Sequence, residues 1–109
     1  MMRMQSVFGV QAQSLKEALE ILESALKLKA EARENDARGG DYYSFEGPGN
    51  EEVLLMKNRD LYDDEPLYDD AAEWEFVVYA HSPDSESDIV RALDGETARL
   101  VKVTSETYE

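Results

Sequence analysis

Cysteine is absent from this chain of 109 residues. Its absence excludes disulfides, thiolate catalysis and cysteine-ligated zinc, and makes a reducing cytoplasm the natural setting. Histidine occurs once, as His81, and no E-x-x-H pair is present, so the helical ligand pairs of dinuclear carboxylate centres are missing. Long apolar runs are missing too. The longest is Phe76-Val77-Val78-Tyr79-Ala80, far too short to span a bilayer. The N-terminal MMRMQSVFGVQAQ carries one basic residue and no long apolar run, so no signal peptide is expected. Gly47-Pro48-Gly49 has neither the Walker lysine nor the G-x-G-x-x-G spacing, which leaves it a hairpin turn rather than a phosphate loop. Basic residues are few, and none form patches with interleaved aromatics, so direct nucleic-acid binding is not expected.

Acidic residues are abundant. There are 25 Asp and Glu against 11 Lys and Arg, for a net charge of -14. The excess is local: from Asp60 to Asp88 the chain has eleven carboxylates and no Lys or Arg. Such a field repels nucleic acid and anionic membranes, and it attracts and steers cations and basic protein surfaces. The densest part reads DLYDDEPLYDD, with Asp60, Asp63, Asp64, Glu65, Asp69 and Asp70 crowded around Pro66.

Length and composition, with 42% hydrophobic residues, predict one folded domain over residues 1–109 with a single core. Alternation predicts a strand over 4–12. Ser14-Leu15-Lys16-Glu17 has the form of a capping box. Leu15, Leu19, Leu22 and Leu26 then recur at helical spacing, so a helix is expected from Leu15 into the thirties, stopped by Gly39-Gly40. Strands are expected over Asp41–Glu46 and Glu52–Asn58, joined by a turn at Gly47–Asn50. Residues 59–73 form an acidic connecting loop, because Pro66 and its acidic neighbours oppose both helix and central strand. A strong strand over Glu73–Ala80 follows, then a helix opening at Ser82-Pro83-Asp84 and ending at Asp94-Gly95. Arg99–Thr104 supplies the last strand. The order β-α-β-β-β-α-β predicts an α+β two-layer sandwich, a ferredoxin-like variant with a mostly antiparallel sheet of about five strands and both helices on one face. Leu15, Leu19, Leu22, Leu26, Val53, Leu55, Phe76, Val78, Ile89, Leu93, Val101 and Val103 are its expected core.

For chemistry, His81 is expected in a strand-to-helix loop. A nucleophilic pairing with Ser82 or Ser85 has only sequence adjacency behind it, and adjacency does not give triad geometry. The acidic run lacks the glycine and spacing of an EF-hand, so any divalent ion would sit on the surface. Tyr62 and Tyr68 lie among the acids. A tyrosine ring beside carboxylates suits the gripping of arginine and lysine, through ring area, cation–π attraction and charge-assisted hydrogen bonds. Asp60, Tyr62, Asp63, Asp64, Glu65, Tyr68, Asp69 and Asp70 are therefore the expected partner-binding residues. The same acids could mimic DNA phosphates toward a nucleic-acid-binding protein.

The run DYYSFEGPGNEEVLLMKNRDLYDDEP, followed by EWEFVVYAHSPDSESDIVRAL, resembles small acidic bacterial proteins of the immunity type, over about residues 41–93. The resemblance implies a cytoplasmic, non-enzymatic antidote that binds and neutralises a toxin domain of a polymorphic or contact-dependent system, without a cofactor. The alternative is a small enzyme or ligand-binding domain whose acidic loop holds a divalent ion near His81.

Overall fold

The computed structural model describes residues 3–35, 40–47, 50–84, 88–96 and 98–108. Strand β1 (Arg3–Val10) leads into helix α1 (Leu15–Leu26). The capping residue is the one the sequence predicts: Ser14 Oγ accepts the Glu17 N–H at 3.1 Å. Glu17 does not complete a reciprocal box as its main contact. Its carboxylate instead meets Arg99 Nη2 at 2.7 Å and ties α1 to the start of the last strand.

The helix stops earlier than its composition suggests. Lys27 takes a left-handed conformation, φ 56° and ψ 36°, and its N–H returns to the Glu23 carbonyl at 2.9 Å. The chain then forms β2 (Glu31–Asn35), which pairs antiparallel with β3 (Gly40–Glu46) from Glu31–Ser44 to Asn35–Gly40. This corrects the long helix. Every residue of β2 is exposed, so the segment has no apolar periodicity to betray it. Cross-strand hydrogen bonds override good helix formers here. The expected glycine stop is not used: Gly40 belongs to β3, and Gly39 lies outside the described residues.

Strands β4 (Glu52–Lys57) and β5 (Phe76–Ser82), helix α2 (Asp88–Gly95) and strand β6 (Leu100–Tyr108) complete the fold. β5 runs from Phe76 to Ser82 rather than from Glu73 to Ala80, and the described part of α2 begins at Asp88, since Ser85–Ser87 lie outside the described residues. Among the described residues the sheet has six antiparallel strands in the order β2-β3-β4-β5-β1-β6, rather than about five. Within it, β4-β5-β1-β6 with the two helices has the split βαβ arrangement. The β2–β3 hairpin extends that unit beyond β4.

Successive side chains of a strand point to opposite faces, and here both faces are covered. On one, Met4, Phe8, Phe45, Val53, Leu55, Phe76 and Val78 meet Ala18, Leu22 and Leu26 of α1 and Ile89, Val90 and Leu93 of α2. On the other, Val7, Leu54, Met56 and Val77 meet Ala71, with Leu67, Tyr68, Trp74, Tyr79 and Val103 packed against them. The expected single core is thus two clusters, separated by the sheet. Leu15 and Leu19 are only partly buried at the edge of the first, and Val103 belongs to the second. Val101, expected inside, is 45% exposed. The register of β1 and β6 shifts at Val7/Phe8, where Val7 faces Thr104 and Phe8 faces Lys102. Val101 stands opposite Gly9 on an end strand, so no cross-strand side chain covers it.

Candidate functional site

The acidic connection between β4 and β5 is a strap lying across the sheet face opposite the helices. Leu67, Tyr68, Ala71 and Trp74 are its inward side. Asn58, at the end of β4, anchors it. The Asn58 backbone N–H donates to the Glu75 carbonyl at 2.8 Å and so joins the two ends of the strap. Its side chain is 5% exposed. Nδ2 donates to the carbonyls of Ala71 (2.8 Å) and Tyr68 (3.4 Å), and Oδ1 accepts the Tyr68 N–H at 2.8 Å. A 3-10 turn over Asp69–Ala71 follows, closed by Ala71 N–H to Tyr68 O at 3.0 Å and Ala72 N–H to Asp69 O at 3.2 Å. Trp74 lies flat against Gly9 of β1: a Cβ at that glycine would fall 2.2 Å from Trp74 Cδ2. The missing side chain is what lets the indole reach the sheet.

The outer part of the strap is a tight turn built by its own acids. Asp60 is half-buried and structural: Oδ1 accepts the N–H groups of Tyr62 (2.8 Å) and Asp63 (3.4 Å), while its backbone N–H donates to Glu65 O at 2.8 Å. Asp63 Oδ1 accepts the Glu65 N–H at 3.0 Å. Asp64 adopts φ 60°, a left-handed value that Asp tolerates better than most residues. Asp64 also meets Arg59 at 3.0 Å. The charge run therefore has a partner just outside it, although the exposure of both side chains keeps the contribution of that pair small.

The residues expected to bind a partner divide into two groups. Asp63, Asp64, Glu65, Asp69 and Asp70 are exposed, and Tyr62 is 80% exposed. Leu61, which the sequence did not single out, is 56% exposed beside Tyr62. Asp60 and Tyr68 are only partly accessible. Tyr68 is no free anchor: its ring stacks on Tyr79, with centroids 6.4 Å apart and planes 14° from parallel.

Clefts flank the strap. One of about 730 Å³ lies at its outer end, where Leu61, Glu75 and Lys57 meet Glu34, Asp41 and the N-terminus of α1 at Ser14. Another, of about 330 Å³, lies at its inner end between Leu67–Asp70 and the side chains of Val7 and Thr104.

His81 is half-buried within β5, not in a following loop. Its neighbour Ser82 is 1% exposed, and Ser82 Oγ closes a turn by donating to Asp84 O (2.7 Å) and accepting the Asp84 N–H (3.1 Å). Consecutive strand residues point to opposite faces, so the two side chains are not directed at one another. Ser85 lies outside the described residues. Among the described residues, no three His, Asp or Glu side chains are grouped to hold a metal ion, and no helix is long and apolar enough to cross a membrane. Comparison with family models, with curated proteins and with solved structures returns no match.

Proposed function

We propose that this protein is a non-enzymatic binding module that presents its acidic strap to a basic protein partner. One observation carries the proposal. The strap is a built element rather than a solvated connection: Asn58, Tyr68 and Trp74 hold it to the sheet, and it turns Tyr62 and five carboxylates outward. A surface ordered before binding loses little conformational freedom on association. Its charge accelerates encounter with a basic surface. The immunity-type resemblance over residues 41–93 makes a bacterial toxin domain the first partner to test, with neutralisation in the cytoplasm by occlusion of the toxin's active site.

The experiment begins with capture of partners from a bacterial lysate and salt elution. Association of the captured protein is then timed against the wild type and a variant with Asp63, Asp64, Asp69 and Asp70 all replaced by Asn. The variant should associate at least about tenfold more slowly at low salt, within the range that steering supplies. Co-expression with the captured protein should also relieve its toxicity. An unchanged rate with unchanged salt dependence removes the strap from the interface.

A further inference from the structure

We infer that the cleft at the inner end of the strap receives an arginine side chain of the basic partner, an inference that rests on the binding-module reading and names what that site takes. The cleft has two kinds of wall. Val7 and Leu67 are apolar, and the half-buried Tyr68 ring stands beside them. Asp69 and Asp70 line it as well, and both are exposed. A guanidinium suits such walls: its planar face stacks on an aromatic ring, its fork meets carboxylates in two parallel hydrogen bonds, and its stem covers apolar surface. The volume, about 330 Å³, exceeds by far the roughly 30 Å³ share of one water. It is at the lower end of the ~300–1,000 Å³ typical of small-molecule pockets.

Charge selects the occupant. Residues 60–75 carry eight carboxylates and no Lys or Arg. The base that precedes this run in sequence, Arg59, meets Asp64 in the outer turn, so no cation within residues 60–75 serves Asp69 or Asp70. The walls are also held in place. Tyr68 is backed by Tyr79, and the 3-10 turn bearing both carboxylates is pinned by the Asn58 bond to Ala71 O at 2.8 Å. The cleft opens beside β6, which among the described residues is an end strand of the sheet, next to β1, so a loop of the partner can approach along that edge.

The test uses peptides, because it needs no identified partner. Nitrogen-15-labelled protein is titrated with acetyl-Gly-Gly-Arg-Gly-Gly-amide, and separately with its Lys and citrulline counterparts. The Arg peptide should give saturable amide shifts at Val7, Leu67, Tyr68, Asp69, Asp70 and Thr104. The Lys peptide should bind several-fold more weakly, and citrulline, which keeps the shape without the charge, should not bind. Asp69→Asn with Asp70→Asn should weaken the Arg peptide about tenfold, as loss of charge-assisted hydrogen bonds does, with the spectrum otherwise unchanged. Equal shifts from the citrulline peptide overturn the proposal. Shifts confined to Tyr62–Glu65 overturn the cleft while leaving the acidic binding module standing. A complete absence of saturable shifts also overturns the cleft; the module then stands or falls separately, on salt-dependent association with its captured partner.

Discussion

Asn58 holds Tyr68 by both backbone groups: Oδ1 accepts its N–H at 2.8 Å, and Nδ2 reaches its carbonyl at 3.4 Å. A third bond, to Ala71 O at 2.8 Å, makes this buried amide the tie between the end of β4 and the acidic strap. Asn58→Ala should cost about 1–3 kcal/mol, because it removes the acceptor of the Tyr68 N–H, while the carbonyls of Tyr68 and Ala71 keep the N–H groups of Ala71 and Trp74. Urea denaturation gives the cost. Native-state hydrogen exchange gives its location: the amides of Tyr68 and Ala71 should lose more protection than those of β1 or β5.

Gly9 and Trp74 make a second tie. Gly9→Ala sets a Cβ against the indole, where the distance would be 2.2 Å, and either the ring or the strand must move. Overpacking of this kind costs about 1–3 kcal/mol. Trp74 is the sole tryptophan, so its fluorescence reads the change directly and should shift to the red as the ring is pushed toward water. In a Trp74→Ala background the same Gly9→Ala substitution should cost markedly less, and a double-mutant cycle measures the difference.

The two tyrosines of the acidic segment should separate cleanly. Tyr62→Ala removes a ring that is 80% exposed and should change stability by less than about 0.5 kcal/mol, while speeding dissociation of a bound partner. Tyr68→Ala removes the stack on Tyr79 and should cost about 1–3 kcal/mol of stability in the free protein. Thermal melts of both variants decide the point; equal melting temperatures would show that Tyr68 does not help hold the strap.

Lys27 ends α1 at φ 56°, a conformation that costs a side-chain-bearing residue about 1–2 kcal/mol. Lys27→Gly should relieve it. Part of the gain is offset by the greater freedom of glycine in the unfolded chain, so a net rise of about 0.5–1 kcal/mol is expected in chemical denaturation. A loss of stability instead would show that the Lys27 side chain contributes to the turn before β2.

Leu22 is fully buried between α1 and the sheet. Leu22→Ala should cost about 2–5 kcal/mol, the usual range for emptying a large core site. A change of only a few tenths in a denaturation curve would mean that α1 does not pack on this face.

Local chemistry made much of the molecule legible in the sequence. Ser14 before a leucine stripe marks the start of α1, and Ser14 Oγ does accept the Glu17 N–H. Phe76, Val78 and Ala80 alternate with Val77 and Tyr79 in a strand buried on both faces. The charge imbalance after Asp60 is plain arithmetic, and it located the exposed surface of Tyr62, Asp63, Asp64, Glu65, Asp69 and Asp70. These features depend on residues one to four places apart, so they can be read in a line. Other features depend on partners brought from far along the chain. Glu31–Asn35 is a strand only because β3 offers its edge; its own side chains all face water, and periodicity is silent when nothing is buried. Gly9 needs no side chain only because Trp74 arrives there. Asn58 looks like a strand terminus until Tyr68 and Ala71 fold back onto its amide. In the sequence the acidic segment is a connecting loop, because its charges outnumber its anchors. Tertiary structure made it a strap, since Leu67, Tyr68, Ala71 and Trp74 together cover a sheet face that would otherwise leave Val7, Leu54, Met56 and Val77 in water.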